Sequence, residues 1–298
     1  MRTQHRYLTF SKNPKLTRML DELTIKHNVT DKWLDSRTHL YTLEFFLYED
    51  NPRFEELQRA LGIFDISAEV ASVYEKDDVK NAEWFIVNTG EYQYPQPEDD
   101  FSYRKATFNL DKYCSLCDIG KIQNAPYRLK TEPKQFNNQF WGLHWQFEAI
   151  FVRQEAKNIL EREKIKGIRF SNPVIHKTNM PIEGFYQLHI ETILNEGFDN
   201  YNTKTITCKI NNEENLNTDK TLQYCGRIKF HHPMIGGYLF EKSVFDKNLD
   251  IVQSKEYFGS GGSADRLQIV SRKFKDIVDK NKLKGLSFIP VMHNRLDR

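Results

Sequence analysis

The sequence predicts an α+β protein, in which an N-terminal α/β region precedes a duplicated unit of paired cysteines and a strand–helix–strand segment. Three observations indicate this fold. Apolar residues alternate along the chain between helical and strand-like spacing, as expected for interspersed helices and strands. The 298 residues include 21 Phe and 14 Tyr, which favour strands and aromatic-rich cores. All four cysteines and two similar segments follow residue 105, so we predict two domains, 1–105 and 106–298.

The composition is that of an ordinary folded protein with no strong charge. Apolar residues make up 39% and charged residues 28% of the chain, which argues against disorder. Lys and Arg exceed Asp and Glu by two, so charge favours neither nucleic acid nor a membrane surface as partner. The N-terminus lacks an apolar run of signal-peptide length, and no stretch is long enough to span a bilayer. We therefore expect a cytoplasmic protein, whose thiols stay reduced.

The first predicted domain begins mainly with helices. Four apolar residues recur there at helical spacing: Leu16, Met19, Leu20 and Leu23. Thr30 and Asp31 are typical capping residues and predict a second helix. Asn51 and Pro52 predict the start of a third helix, and its inward-facing residues should be Phe54, Leu57, Leu61 and Ile63.

The next stretch changes to strand spacing. Residues 66–74 alternate and predict one strand, and 84–87 predicts a short buried strand, with a helical turn at Asp77 between them. Residues 91–100 contain two prolines and four acids, so we expect a linker or exposed loop there. Several of its residues are candidates for binding a partner protein, unless the loop is simply solvated: Tyr92, Tyr94, Glu98, Asp99 and Asp100.

Two segments that lie 118 positions apart share one residue pattern. Each has apolar residues on one helical face, and these matched pairs are Val152 with Val270, Ala156 with Phe274, Ile159 with Ile277, Leu160 with Val278, and Ile165 with Leu283. Gly167 and Gly285 then predict the end of each helix. Strand-like runs precede and follow both helices. We predict a duplicated strand–helix–strand unit at about 147–174 and 267–291.

The four cysteines form one close pair and one distant pair. Cys114 and Cys117 have the spacing of two ligands from one turn, whereas sixteen residues separate Cys208 and Cys225. Four thiolates in a tetrahedron make a closed structural zinc site, so we predict that the two pairs share one Zn²⁺. The alternatives are four unrelated reduced thiols or a redox-active Cys-x-x-Cys. A disulfide fits a cytoplasmic protein less well.

A glycine-rich segment follows the second pair of cysteines. Residues 259–263, Gly-Ser-Gly-Gly-Ser, could hold an anion, but they lack the lysine of a P-loop and precede a strand instead of a helix. We therefore expect a flexible turn. The neighbouring Tyr257 and Phe258 are further candidates for binding a partner protein.

The chain from about residue 106 to 298 resembles a bacterial protein family. Cys225-Gly226, the segment 254–262, the helix after Ile269 and the segment 283–291 are similar to the double-CXXCG motif proteins and related immunity proteins of polymorphic toxin systems. The resemblance implies a zinc-supported α+β protein that inhibits a cognate toxin by binding it. It departs from the motif at Cys117, which no glycine follows, and in the wide spacing of the second pair. That spacing leaves His231 and His232 as alternative fourth ligands.

Two other functions stay open at the level of sequence. A metal-dependent hydrolase or nuclease would have to use a small set of polar residues: His144, Glu148, His231 and His232. Known hydrolase and dinucleotide-binding motifs are missing from the sequence. A nucleic-acid-binding zinc ribbon would use the basic residues after the first cysteine pair, namely Lys121, Arg128, Lys130 and Lys134. The near-neutral charge counts against this function, so we expect a binding protein without turnover.

Overall fold

The structure is a computed structural model that describes residues 1–64, 66–90, 92–93, 95–98, 100–134, 137–201, 203–208, 225–259 and 263–293. Strands predominate in it and helices are interspersed, so the predicted α+β class is confirmed. The chain divides into two compact units, Met1–Lys80 with Met234–Gly237, and Asn81–Pro233 with Tyr238–Arg298. Within the described ranges, none of the helices combines the length and apolar content that crossing a membrane requires.

The first unit is built on a four-stranded antiparallel sheet. Its strands are β1 (Arg2–Thr9), β2 (His27–Trp33), β3 (His39–Tyr48) and β4 (Ala68–Val73), in the order β2–β3–β1–β4. Its helices are α1 (Pro14–Glu22), α2 (Phe54–Leu61) and α3 (Lys76–Asn81), with a 3₁₀ turn at Gly62–Phe64. The strand at Ala68–Val73 and the turn after it were predicted from the sequence.

One face of this sheet and two helices form the core of the first unit. Alternate residues of β3 are buried because side chains on a strand point to opposite faces in turn. Leu16 and Leu20 of α1 and Leu57 and Leu61 of α2 pack against that buried face. The side chain of Asn13 caps α1 by accepting the Leu16 N–H at 3.1 Å. The predicted helical faces are therefore confirmed at these four leucines.

Two predictions in the first unit were wrong. Thr30 and Asp31 do not cap a helix but lie in β2, where Thr30 is opposite Thr42 and Asp31 is opposite Tyr41. Pairing with β3 along the whole strand satisfies the backbone, so it prevails over a local capping preference. Ile63, expected to face inward, is 79% exposed because α2 ends at Leu61.

The second unit contains two sheets of five and seven strands. Their orders are β12–β14–β11–β10–β6 and β15–β16–β18–β19–β5–β20–β17. In chain order the elements of this unit are β5 (Trp84–Thr89), β6 (Tyr92–Gln93), α4 (Asp100–Thr107), β7 (Phe108–Asn109), β8 (Ile122–Gln123), β9 (Arg128–Leu129), β10 (Phe140–Leu143), β11 (Gln146–Arg153), α5 (Gln154–Arg162), β12 (Ile168–Ser171), β13 (Val174–Ile175), β14 (Phe185–Ile190), β15 (Thr205–Thr207), β16 (Ile228–Phe230), β17 (Tyr238–Phe240), a 3₁₀ turn (Lys242–Val244), β18 (Ile251–Phe258), β19 (Asp265–Ser271), α6 (Arg272–Lys280) and β20 (Leu286–His293).

The division between the units falls at residue 80, whereas the predicted boundary was at 105. Strand β5 explains the difference, because it lies between β19 and β20 and pairs with both. A strand at the centre of a sheet belongs to the body that supplies both neighbours. The short β6 likewise pairs with β10 of the second unit, so the expected linker at 91–100 does not separate two domains.

Each of the two similar segments forms strand, helix and strand, as β11–α5–β12 and β19–α6–β20. In both, a third strand lies between the other two and is antiparallel to them: β14 in the first case and β5 in the second. The predicted helices α5 and α6 are confirmed. Their faces differ at one matched position, since Ile277 is 8% exposed and Ile159 is only half-buried.

A lysine carbonyl at the matched position of each strand–helix–strand segment accepts a hydrogen bond from a residue that precedes the other segment. The Lys284 carbonyl accepts the Phe140 N–H at 3.0 Å, and the Lys166 carbonyl accepts the Asp250 N–H at 3.1 Å. Lys166 and Lys284 are 118 positions apart, which is the offset between the segments. A Cβ on Gly285, which has φ +103°, would lie 2.0 Å from the Phe140 carbonyl oxygen, so the glycine permits this approach.

Candidate metal centre

The first cysteine pair lies in a tight backbone turn of the second unit. The Cys114 N–H donates to the Ile119 carbonyl at 2.9 Å, and the Asp118 N–H donates back to the Cys114 carbonyl at 2.8 Å. Asp118 has φ +58°, a left-handed conformation that glycine, asparagine and aspartate adopt most readily. Cys114 and Cys117 are 5% and 2% exposed. The turn therefore holds both thiols on its inner side.

The second cysteine pair lies across the base of a hairpin. β15 and β16 are antiparallel, with Thr207 opposite Ile228, and this register places Cys208 beside Arg227. The Cys208 N–H donates to the Arg227 carbonyl at 2.9 Å, and the Gly226 N–H donates to the Cys208 carbonyl at 3.1 Å. The pairing of β15 with β16 therefore brings Cys208 and Cys225 together despite their wide spacing in sequence. The polar insertion at 211–220 lies outside the described residues.

The four cysteine sulfurs meet at one point. All four Sγ atoms lie within 4.8 Å of one another. The Cys114 and Cys208 Sγ atoms are 3.8 Å apart, and those of Cys117 and Cys225 are 3.6 Å apart. A tetrahedral zinc with bonds of about 2.3 Å requires sulfur–sulfur distances of about 3.8 Å. These separations are far too long for disulfides, and all four thiols are free. The donor set therefore fits a tetrahedral metal ion.

The two histidines proposed as substitute ligands lie elsewhere. Among the described residues, the grouping around this point consists of the four cysteines. The His231 N–H donates to the Lys204 carbonyl at 2.9 Å. The His232 ring bonds the Tyr238 hydroxyl through Nδ1 at 2.7 Å and stacks on Phe258. Burial lowers the pKa of His232. Because the hairpin delivers Cys208, no histidine is needed as the fourth ligand.

An arginine links the two cysteine turns. Arg227, from the hairpin, donates through Nη1 to the Ile119 carbonyl at 2.8 Å and through Nη2 to the Lys112 carbonyl at 2.7 Å. Gly120 lies directly beneath, with φ +99°, and a Cβ there would be 2.0 Å from the Lys112 oxygen. The sequence did not predict either role. The Cys225–Arg227 segment, which immediately precedes β16, was the available sequence signal. It does not show which backbone carbonyls Arg227 would contact.

The protein environment shifts the pKa values of three of the thiols, and the shifts differ in direction. Burial raises the pKa of Cys117, and it also raises that of Cys208. Burial opposes ionisation of Cys114 as well, but the backbone N–H groups of Cys117 and Leu116 prevail and lower its pKa to about 7. Cys114 is thus the most readily ionised of these three. A bound cation would complete the ionisation of the set, since thiolates are the metal ligands.

The proposed partner-binding residues are only partly within the described structure. Tyr94 and Asp99 lie outside the described residues, as do the side chains of Tyr92 and Asp100. Glu98 is exposed and pairs with Lys130 at 2.6 Å. Tyr257 is half-buried beside the cysteines, with the Arg266 guanidinium 4.3 Å from its ring centre. Phe258 is 2% exposed and belongs to a core cluster, so it is unavailable as an exposed anchor.

The candidate catalytic residues are distributed over different places. His144 lies in the turn between β10 and β11 instead of within either strand, so it does not share a strand face with Glu148. Glu148 accepts the Arg266 N–H at 2.7 Å, and burial raises the pKa of its carboxyl. Glu148 lines one cleft, whereas His232 lines a separate cavity of about 310 Å³. The structure therefore does not assemble a hydrolase centre from these residues.

The basic residues after the first cysteine pair are largely engaged by neighbours. Lys121 pairs with Asp118 and donates to the Gln146 oxygen at 2.8 Å. Arg128 donates to the Asn179 side chain at 2.7 Å, and Lys130 pairs with Glu98. Lys134 is exposed. These contacts reduce the positive charge available to a nucleic-acid backbone.

A scan of protein-family models finds no match to this chain, and a search of curated proteins finds none either.

Proposed function

We propose that this is a binding protein whose second unit is held together by one structural Zn²⁺. The observation that carries the proposal is the convergence of four cysteine sulfurs from two distant segments. Cys114, Cys117, Cys208 and Cys225 would fill all four positions of a tetrahedral ion, which leaves none for substrate. A zinc site of this kind supports a fold and does not itself catalyse.

Elemental analysis of the reduced protein should give one zinc per chain. Tetrahedral sulfur sites also suit iron, so zinc and iron are measured together. The control is a variant with serine at all four cysteine positions, which should contain neither metal. Less than half an equivalent of zinc in the parent protein would contradict the proposal, and a full equivalent of iron would reassign the ion.

The finer proposal is that this protein is an immunity protein that neutralises a cognate bacterial toxin by occluding it. The resemblance of residues 106–298 to the double-CXXCG immunity proteins supports it. The engagement of the candidate catalytic side chains in separate contacts supports it too, because an occluding inhibitor needs no catalytic centre. Tight inhibitors usually depend on a few anchors ringed by polar residues, and the exposed Glu98 remains a candidate for such a rim.

This protein should inhibit a toxin encoded next to its gene by forming a one-to-one complex. Toxin activity should then fall in proportion to the amount of protein added, up to one equivalent. We expect a triple variant, His144→Ala, Glu148→Gln and His231→Ala, to keep both binding and protection, because none of these residues ligates the metal. Titration of toxin activity and calorimetry of the complex measure the two properties. Protection at far less than one equivalent would indicate turnover. So would a triple variant that folds, keeps its zinc and binds the toxin, yet no longer protects.

We also propose that the two strand–helix–strand segments are duplicates of one ancestral unit. Their equal strand arrangement supports this, with β14 and β5 in the same central place. The carbonyls of Lys166 and Lys284 lie at matched positions, and each accepts a hydrogen bond from a residue that precedes the other segment, which supports it further.

A further inference from the structure

The second unit contains a cleft of about 770 Å³ next to the cysteine cluster. Its volume lies within the range of small-molecule sites, which is about 300–1,000 Å³. Strands of both sheets form its floor, and the two cysteine turns form one wall. Sequence patterns did not reveal this cleft, because its lining comes from segments spread between residues 108 and 266.

The floor consists of polar side chains that alternate along three strands. They are Gln146 and Glu148 of β11, Gln187 and His189 of β14, and Gln253, Lys255 and Tyr257 of β18. Residues two apart on a strand share a face, so each strand presents these groups to one side. Gln146 and Gln187 are 6% and 4% exposed. Polar side chains this buried cost stability unless they are bonded, and both are: Gln146 accepts from Lys121, and Gln187 bonds the Gln123 side chain. These bonds hold the polar floor in a fixed arrangement.

The floor continues from one sheet to the other. The Gln253 N–H donates to the Thr192 carbonyl at 2.9 Å, and the Leu194 N–H donates to the Gln253 carbonyl at 2.8 Å. These bonds join the chain just after β14 to the middle of β18. The cleft is therefore lined by strands of two sheets that are joined by backbone hydrogen bonds.

The cysteine turns fix the wall of the cleft. Ile119, Gly120 and Lys121 follow the first pair, and Arg227 follows the second. Lys121 donates to the Gln146 side-chain oxygen at 2.8 Å and so connects this wall to the floor. The metal centre thus positions one side of the cleft without lining it with a ligand cysteine.

The charge of the cleft is strongly positive for so neutral a protein. Two acids line it, Glu148 and Glu191, and the six basic side chains give a formal excess of four positive charges. The basic residues are Lys112, Lys121, Arg169, Arg227, Lys255 and Arg266. The whole chain carries only +2, so the remainder has an excess of two negative charges. Positive formal charge is therefore concentrated in the cleft lining relative to the rest of the chain.

Several of these polar groups lack partners. Within the described part of the chain, no carboxylate lies within ion-pair distance of Lys112, Arg169 or Lys255, and all three are exposed. Tyr127 also lines the cleft and is 1% exposed, and its hydroxyl has no hydrogen-bond partner among the described residues. Buried hydroxyls are almost always bonded, so this one indicates a ligand or solvent atom within reach.

We propose that this cleft binds a phosphorylated small molecule of about nucleotide size. Arg169, Lys255 and Lys112 would hold its phosphate groups, whose multiple negative charges match several cations that lack carboxylate partners. The glutamine amides of the floor would bond the organic part. The excess of positive charge in a cleft of small-molecule volume, within a chain of net charge +2, favours a small ligand over a nucleic acid strand. This proposal does not depend on the toxin-inhibiting role.

Calorimetry with ATP and with inorganic tripolyphosphate at low salt tests the site in the intact, zinc-loaded protein. We expect both to bind, and ATP to bind more tightly because the floor also contacts its organic part. The double variant Arg169→Ala and Lys255→Ala should weaken both at least tenfold, since one charge-assisted bond is worth about a factor of ten. Both side chains are exposed, so the variant should fold.

The matched control is Lys280→Ala, which removes an exposed charge at the end of α6, away from the cleft lining, and should not change either affinity. Failure of both phosphates to bind at millimolar concentration would overturn the proposal. Equal weakening by Lys280→Ala would show nonspecific charge attraction and would overturn it too. Tighter binding of a hexaglutamate peptide than of ATP would replace the small molecule by an acidic protein segment.

Discussion

Replacing Cys114 by serine should abolish stoichiometric zinc binding and destabilise the second unit by more than about 4 kcal/mol. Cys114 is almost fully buried, and its sulfur lies 3.8 Å from that of Cys208, so the change removes one ligand of the proposed zinc that would join segments 94 positions apart. For a unit of this size, such a loss corresponds to a melting temperature lower by roughly 10 °C or more. Calorimetric melting and metal analysis of the purified variant measure both effects.

The matched control for this substitution is Ser115→Ala, because Ser115 is exposed in the same turn and ligates nothing. It should keep one zinc and change stability by no more than about 0.5 kcal/mol. If Cys114→Ser melts at the parent temperature and retains its zinc, the four thiols have no structural role and the metal proposal fails.

Replacing Ile277 by aspartate should destabilise the second unit by about 4 kcal/mol or more. Ile277 is 8% exposed on the inner face of α6, beside the buried Phe274 and Val278. A carboxylate at this position loses its hydration and gains no partner, and the apolar contacts of the isoleucine are lost as well. Thermal or urea unfolding of the purified variant measures the change.

Two further variants serve as comparisons for the destabilisation by Ile277→Asp. Asp276→Ala alters an exposed neighbour on the same helix and should be nearly neutral. Ile159→Asp changes the matched position of α5, which is only half-buried, and should cost clearly less than Ile277→Asp. If both aspartate substitutions lower the free energy of unfolding equally, the difference in exposure between Ile159 and Ile277 does not affect stability.

Periodic segments were the part of the fold that could be predicted from sequence. The apolar residues of α5 and α6 recur at helical spacing, so burial of one face specifies each helix. The apolar residues of β5 are consecutive, so burial of the whole run specifies the strand. Strand β2 was missed because five of its seven residues are polar or charged and its stability comes from pairing with β3. The residues within a short segment do not reveal which other strand it will pair with.

The clustering of the four cysteines could be predicted because cysteine is rare in this chain and has few roles. Their arrangement could not, because Cys208 and Cys225 are separated by sixteen residues in sequence and are brought together by the pairing of β15 with β16. The cleft was missed for a related reason. Arg169, Gln253 and Lys255 are ordinary surface-type residues in sequence, and they become a site only when the two sheets meet.

The position of β5 in its sheet has a consequence for synthesis of the protein. Both partners of this strand, β19 and β20, begin 181 or more positions after its first residue, Trp84. At typical translation rates of about 5–20 residues per second, a nascent chain waits roughly 10–40 s before β5 can pair. During that interval an apolar strand of four buried-type residues, Trp-Phe-Ile-Val, stays uncovered. We therefore expect the growing polypeptide to bind a ribosome-associated chaperone at residues 84–87.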